Sequence, residues 1–210
     1  MVNDDLISRL QRLYAAIGAT EETDISKFVP QMTNKGNRIC FYQDWSGGLS
    51  NAERANYINS LISNIASLEY HLYRWADDSG HDKTKVRTAF NRSQALKIIH
   101  DLWNNDKHGY NPERRGHSGK SPRVERITSF MQMTTKPEKG SFVRLTFNCQ
   151  GAPRIAGTGT AKVIITGDIL DRVDNKIGDF YETALEAIGV WESVLRDFGI
   201  KLSNDTPLNI

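Results

Sequence analysis

Near the middle of the chain, polar side chains recur at helical spacing: Asp101, Asn104, Asn105 and His108. At 100° per residue they fall within roughly a 100° arc of one helix face. A carboxylate on this face could hold the His108 ring, and an imidazole, whose reference pKa is about 6.5, suits proton transfer at neutral pH. Asp101, Asn104 and His108 are therefore candidate catalytic residues. The alternative is a solvated face, because the arc lies roughly opposite an apolar stripe on the same helix.

A basic, glycine-rich segment follows this helix directly. Residues 107–126 contain six Lys or Arg and two acidic residues, a local charge of +4, whereas the whole chain carries +2. Backbone N–H groups and cations of such a loop can approach a phosphate or another anion. Tyr110 lies within the loop, where its ring could stack on a base; a ring that only anchors the loop is the alternative. The candidate ligand-binding residues are Lys107, Tyr110, Arg114, Arg115, His117, Lys120 and Arg123.

Spacing excludes several nucleotide and metal motifs. Gly116-His-Ser-Gly-Lys-Ser121 lacks the first glycine of a phosphate-binding loop, because Arg114 stands at that position, and a helix precedes it where a strand is needed. The same segment is one residue short of a G-x-S-x-G nucleophile motif. The five histidines include no H-E-x-x-H pair. We therefore expect no cofactor and no local metal site, while a metal site assembled from distant residues stays open.

The run Asp101-x-x-Asn104-x-x-Lys107-His108-Gly109 is followed by arginines, a Ser-Gly and a Pro. It resembles a D-x-x-N-x-x-K-H pattern in a loose group of uncharacterised bacterial and phage proteins. These proteins pair a helical N-terminal half with a short β region and a closing helix that contains a Trp, a position that Trp191 fits here. The resemblance implies the same order of elements and carries no activity.

A more distant resemblance is to HEPN-type helical proteins. Arg74-Trp-Ala-Asp-Asp-Ser-Gly-His81 has the spacing of their R-x4-6-H motif. Many of these proteins are metal-independent ribonucleases of defence and toxin systems, in which the arginine and histidine act on the scissile phosphate at a dimer interface. The resemblance therefore implies Arg74 and His81 as catalytic residues, RNA as a ligand and a homodimer.

Hydrophobic periodicity predicts the helices that position these residues. A Ser50–Glu53 capping box precedes the most regular apolar stripe, and a break with a new helix cap is expected near Ser93. The predicted helices cover about 3–18, 51–78, 84–106 with that break, and 177–198.

A period of two predicts strands over about 38–42, 123–133, 143–149 and 161–165. Helices, then a small sheet, then a helix indicate an α+β fold, with an N-terminal helical bundle, a small antiparallel β meander and a long C-terminal helix. We expect one compact domain, in which a helical region covers 1–108, the basic loop and sheet cover 109–168, and the closing helix and tail cover 169–210.

Composition sets broader limits. Hydrophobic residues make up 39% and charged residues 25% of the chain, the balance of a folded protein, and a net charge of +2 gives no global signal for nucleic-acid binding. Cys40 and Cys149 are expected to be separate buried thiols instead of a disulfide. No apolar run has the length of a membrane span and the first residues do not resemble a secretory signal, so a cytoplasmic location without membrane contact is expected.

Three functional hypotheses follow. The first is a nucleic-acid-processing enzyme, a small HEPN-like ribonuclease with His108 or His81 as general acid or base. The second is a non-enzymatic module that binds a nucleotide, another anion or an acidic partner in the basic loop. The third is a regulatory or interaction protein without a small ligand. The position of the loop at 109–122 separates them, because a loop folded over the Asp101–His108 face forms a site and a loop in solvent does not.

Overall fold

The computed structural model describes residues 2–111 and 113–200, and the predicted tail at 201–210 lies outside them. Within these residues, helices and antiparallel strands both occur, which confirms the α+β class. The helices are α1 (Val2–Thr20), α2 (Asn51–Asp78), α3 (Thr84–Arg92), α4 (Gln94–His108) and α5 (Phe180–Asp197). The strands are β1 (Glu21–Glu22), β2 (Gln31–Lys35), β3 (Arg38–Tyr42), β4 (Arg123–Thr134), β5 (Val143–Phe147), β6 (Pro153–Gly157), β7 (Thr160–Leu170) and β8 (Lys176–Asp179).

Local capping chemistry places the helix boundaries where the sequence predicts them. The Ser50 hydroxyl accepts the backbone N–H of Glu53 at 3.2 Å while the Glu53 carboxylate accepts the Ser50 N–H at 2.8 Å, so the capping box is present. Ser93 ends α3 and caps α4, since its hydroxyl accepts the N–H of Leu96 at 3.1 Å. The predicted break is therefore confirmed, and it sets the direction of the helix that carries the candidate catalytic residues.

The main sheet is built around β7. β4 pairs with it antiparallel from Arg123, opposite Leu170, to Thr134, opposite Thr160. β1 and β8 both pair antiparallel with β7 on its other edge. Because β4 begins directly after the basic loop, its pairing with β7 holds the end of that loop against the sheet.

The strand order differs from a simple meander. β4 pairs with β7, and the two strands between them, β5 and β6, form a separate hairpin. A second hairpin, β2–β3, contains the predicted strand at 38–42, whereas its partner β2 was not predicted. Leu145 and Ile155 of β5–β6 pack on a small core of Ile25, Phe28 and Val163. The antiparallel pairing was predicted correctly. The predicted meander, in which each strand pairs with the next along the chain, was wrong, because long-range packing determines the partner of β4.

The main core lies between the helices and β7, and α5 closes it. Trp191 is buried, and its indole N–H donates to the carbonyl of Ile65 in α2 at 3.2 Å. The Tyr14 hydroxyl of α1 donates to Glu192 of α5 at 2.9 Å, and burial raises the pKa of this tyrosine. The last helix therefore ties the N-terminal helices to the sheet.

Two further expectations can be compared with the structure. Cys40 and Cys149 are free, as predicted, but both are exposed and not buried, because they lie on the two small hairpin regions away from the main core. Among residues 2–111 and 113–200, no helix is both long enough and apolar enough to cross a membrane.

Candidate functional site

The basic loop folds back over α4, and the Asp101 carboxylate holds it there. Asp101 is only 3% exposed. Its oxygens accept the backbone N–H of His117 and the backbone N–H of Ser118, both at 2.8 Å, and the Ser118 hydroxyl at 2.5 Å. The alternative of a solvated face is therefore wrong at this position. The expectation that Asp101 orients the His108 ring is also corrected, because the carboxylate accepts hydrogen bonds from the backbone of the loop.

The fit between α4 and the loop requires a glycine at position 116. Gly116 has φ +64°, and a Cβ there would lie 2.3 Å from Oδ1 of Asp101. An alanine would therefore both strain the backbone and displace the carboxylate. The loop passes this closely over α4 because position 116 has no side chain.

Further hydrogen bonds complete the attachment of the loop. The Asn105 amide donates to the carbonyl of Pro122 at 2.8 Å, and the Ser121 hydroxyl donates to the carbonyl of Asn111 at 3.0 Å. Ser121 is buried even though it belongs to a polar segment. The end of the loop is thus bonded both to α4 and to the start of the loop, in addition to the Asp101 contacts.

A polar cavity of about 600 Å³ lies between α4 and the loop. Its lining combines imidazoles, a guanidinium and amides, among them His108, His117, Arg114, Asn104 and Asn111. His108 is the last residue of α4 and is exposed, and His117 reaches the same cavity from the loop. The structure therefore brings a candidate histidine of α4 to the same cavity as a candidate histidine and a candidate arginine of the basic loop.

His100 adds a third imidazole next to this cavity. Its ring lies 4.8 Å from that of His117, centroid to centroid, at an angle of 89°. The Asn104 amide nitrogen is 3.1 Å from Nδ1 of His100, which makes Nδ1 the acceptor and leaves the proton on Nε2. Burial, with a smaller contribution from His117, lowers the pKa of His100, so the ring is neutral at pH 7. Asn104 is therefore a partner of His100, and not part of a contact to His108.

Glu69 of α2 is close enough to interact electrostatically with His117. Burial raises the pKa of Glu69, and the charges of Arg87 and His117 oppose that rise. The sequence reasoning missed both Glu69 and His100. The spacing of four residues between His100 and Asn104 is a signal for their contact, but Glu69 lies on a different helix, so no local pattern relates it to the site.

The side chains of Arg123 and Tyr110 contact other residues of the protein. The Arg123 guanidinium donates to the carbonyl of Asp171 at 2.8 Å and to Glu125 at 3.2 Å, and it also pairs with Asp174. It lies 5.4 Å from the centroid of the Tyr110 ring. Predicted as ligand-binding residues, these two instead tie the loop to the turn before β8, because the pairing of β4 with β7 brings that turn close.

The other four cations that were predicted to bind a ligand are less constrained by contacts within the protein. Lys107 places its ammonium 4.4 Å from the ring centroid of Trp103. Arg115 and Lys120 are exposed, and Arg114 lines the cavity. Across 2–111 and 113–200, none of these four cations takes part in an ion pair. In the part of the chain that the structure describes, Arg114 therefore brings to the cavity a positive charge that has no protein counter-charge in direct contact.

The Arg74–His81 pair has separate surroundings. The Arg74 guanidinium donates to the Tyr70 hydroxyl at 3.3 Å. α2 ends at Asp78, and the His81 ring stacks on Trp75 at 4.9 Å and lies 5.1 Å from Phe198. Because the chain turns at the end of the helix, the two residues do not continue on one helical face, and the structure shows no contact between their side chains.

The described part of the chain contains no group of three or more His, Cys, Asp or Glu side chains that could hold a metal ion. No family model matches this chain, and the comparisons with curated proteins and with solved structures found no match either.

Proposed function

We propose that the cavity between α4 and the basic loop binds the RNA backbone and cleaves it without a metal ion. One observation carries the proposal: His108 at the end of α4 lines the same cavity as Arg114 and His117 of the basic loop. Two imidazoles can act as a base and an acid, and a guanidinium binds phosphate oxygens. Asp101 and Asn104 are positioning residues, since Asp101 holds the backbone of His117 and Asn104 bonds to His100.

The reaction that fits these groups is internal transesterification. One imidazole takes the proton of the ribose 2′-hydroxyl, and the 2′-oxygen attacks the adjacent phosphorus. The bond from phosphorus to the 5′-oxygen breaks, and the other imidazole protonates that oxygen. The products are a 2′,3′-cyclic phosphate and a 5′-hydroxyl, while Arg114 stabilises the charge that develops on the phosphoryl oxygens.

The HEPN-like resemblance predicts the same class of reaction at different residues, Arg74 and His81. The α4–loop cavity is the better candidate, because its acid–base groups line one cavity, whereas the His81 ring packs against Trp75 and Phe198. A cytoplasmic location, expected from the sequence, agrees with RNA as the ligand.

The test is cleavage of labelled single-stranded RNA in the presence of EDTA. We expect wild-type protein to cut it and His108→Ala and His117→Ala each to lower the rate by about 100-fold or more. His71→Ala is the matched control outside the cavity, and RNA with 2′-O-methyl riboses should stay intact. Intact RNA with wild-type protein, or cleavage lost in Arg74→Ala and His81→Ala but kept in the cavity variants, refutes the proposed site.

A non-enzymatic anion-binding module is the second candidate. The specific observation in its favour is that Arg114 lines the cavity and forms no ion pair within residues 2–111 and 113–200. Under this alternative, inorganic phosphate or a mononucleotide raises the melting temperature, Arg114→Ala abolishes the rise, and RNA is bound but never cut.

A further inference from the structure

The two small hairpin regions expose an unusual number of large apolar side chains. We define the hairpin surface as the exposed side chains of residues 29–43, which contain β2–β3, and 135–157, which contain β5–β6. Phe41 is 51% exposed and Tyr42 63%, while Phe142 is 48% and Phe147 42% exposed. Isolated exposed aromatics are ordinary, but a group of them marks a binding surface.

Direct contacts join the two hairpins into one surface. The rings of Phe41 and Phe147 meet edge to face, with centroids 5.2 Å apart. Beside them, Val29 is near enough to Gly151 that a Cβ at position 151 would lie 3.9 Å from its side chain. The Phe41–Phe147 contact therefore joins β2–β3 and β5–β6 into one surface.

The same surface concentrates positive charge. Residues 29–43 and 135–157 together contain six Lys or Arg and one acidic residue, a net charge of +5 in a chain of net charge +2, so the remaining residues sum to −3. The exposed cations whose side chains the structure describes here are Arg38, Lys136, Lys139, Arg144 and Arg154. None of these five forms an ion pair within residues 2–111 and 113–200.

Cations of the β5–β6 region also lie close to its exposed rings. The Arg144 guanidinium lies 5.9 Å from the centroid of the Phe142 ring. On the paired strands Thr146 stands opposite Arg154, and the next pair is Phe147 opposite Pro153. Because successive side chains of a strand point to opposite faces, Arg144 and Arg154 share one face of β5–β6, whereas Phe147, whose ring meets Phe41, lies on the other face.

We propose that the hairpin surface binds single-stranded nucleic acid. Cations with no protein counter-charge suit phosphates, and exposed rings suit stacking with unpaired bases, which is the chemistry of single-strand binding. In a duplex the faces of the bases are stacked and inaccessible, so the hairpin surface could bind it only through contacts between its cations and the phosphates. The proposal rests on the proposed function only for RNA as the ligand, because the hairpin surface and the α4–loop cavity share no residue.

The experiment measures fluorescence anisotropy with labelled oligouridine and oligodeoxythymidine of about 20 nucleotides, long enough for one binding site. The His108→Ala, His117→Ala double variant serves as the parent protein, so that cleavage cannot interfere. A duplex of the same length is the third probe. We expect both single strands to bind better than the duplex, with a slope of log affinity against log salt of about −3.5 when five cations contact phosphates.

Variants then separate stacking from charge. Phe41→Ala and Phe147→Ala should each weaken single-strand binding about tenfold. Arg144→Gln with Arg154→Gln should reduce the salt slope by about 1.4 and leave the melting temperature unchanged, because both side chains are exposed on intact strands. Tyr70→Ala and Arg172→Gln are matched controls, since both residues are exposed elsewhere and should change neither quantity.

The outcomes are distinct from those of the cleavage test. Binding that the hairpin variants lose and the cavity variants keep supports the proposal, whether or not RNA is cut. No binding at low salt, a preference for the duplex, or equal losses in the control variants overturns it. Dimers that form through this surface and exclude oligonucleotides also overturn it, because the exposed rings would then serve a second copy of the chain.

Discussion

The attachment of the basic loop to α4 depends on a charge and a glycine that act as one unit. In Asp101→Ala, two backbone N–H groups and one hydroxyl lose a carboxylate acceptor. A hydrogen bond to a charged group contributes about 1.5 to 3 kcal/mol, but the released loop groups regain water, so we expect a total loss of about 3 kcal/mol in docking free energy. Gly116→Ala should cost about 4 kcal/mol, because its Cβ displaces the same carboxylate and its positive φ adds about 1 kcal/mol.

The double variant reveals the coupling. With Asp101 already truncated, the Cβ at position 116 has no carboxylate to displace, so the combined cost should be about 4 kcal/mol instead of the sum of about 7. Gly119→Ala is the matched control, since Gly119 also has a positive φ but no atom lies within 4 Å of the place that its methyl group would take. It should cost about 1 kcal/mol and add fully to Asp101→Ala.

Hydrogen exchange of the His117 and Ser118 amides measures this docking directly. Asp101→Ala and Gly116→Ala should each lower protection about 100-fold or more, since each 1.4 kcal/mol is a factor of ten. If Asp101→Ala and Gly116→Ala add fully, the two residues do not act on one contact and the reasoning is wrong. If Gly119→Ala is as damaging as Gly116→Ala, backbone strain and not the carboxylate sets the requirement for glycine.

Other predictions follow from single contacts. Trp191→Phe removes ring volume and the bond to Ile65, and should lower the free energy of unfolding in urea by about 2 to 4 kcal/mol; a loss below about 1 would contradict the packing. Burial, helped by a neighbouring imidazole, lowers the pKa of His100, so its contribution is present above pH 6.5 and is lost as pH falls through the folded-state pKa. His100→Gln should therefore lose less stability than wild type between pH 7 and 5, measured by melting temperature. Arg123→Gln should lower stability by about 1 kcal/mol, because its contact with Asp174 is largely exposed, and should leave RNA affinity unchanged; a loss of affinity would restore its predicted ligand role.

Local patterns in the sequence were sufficient for most boundaries of the helices. The apolar stripes, the capping box at Ser50 and the cap at Ser93 all depend on residues within one or two turns of each other. The same locality drew attention to the segment after Asp101, where a polar helix end meets a basic loop. Such features are predictable because the interacting groups are neighbours along the chain.

Only the tertiary structure decided what the polar residues of this segment contact. Asp101 bonds to groups 16 and 17 residues later in the chain, and Arg123 bonds to groups 48 and 51 residues later. The same packing brings His117 to His100 and Phe41 to Phe147. Residue type indicates which groups need a partner, because a buried charge or donor must be satisfied. The choice of partner depends on how distant segments pack, and no periodicity along the chain records that choice.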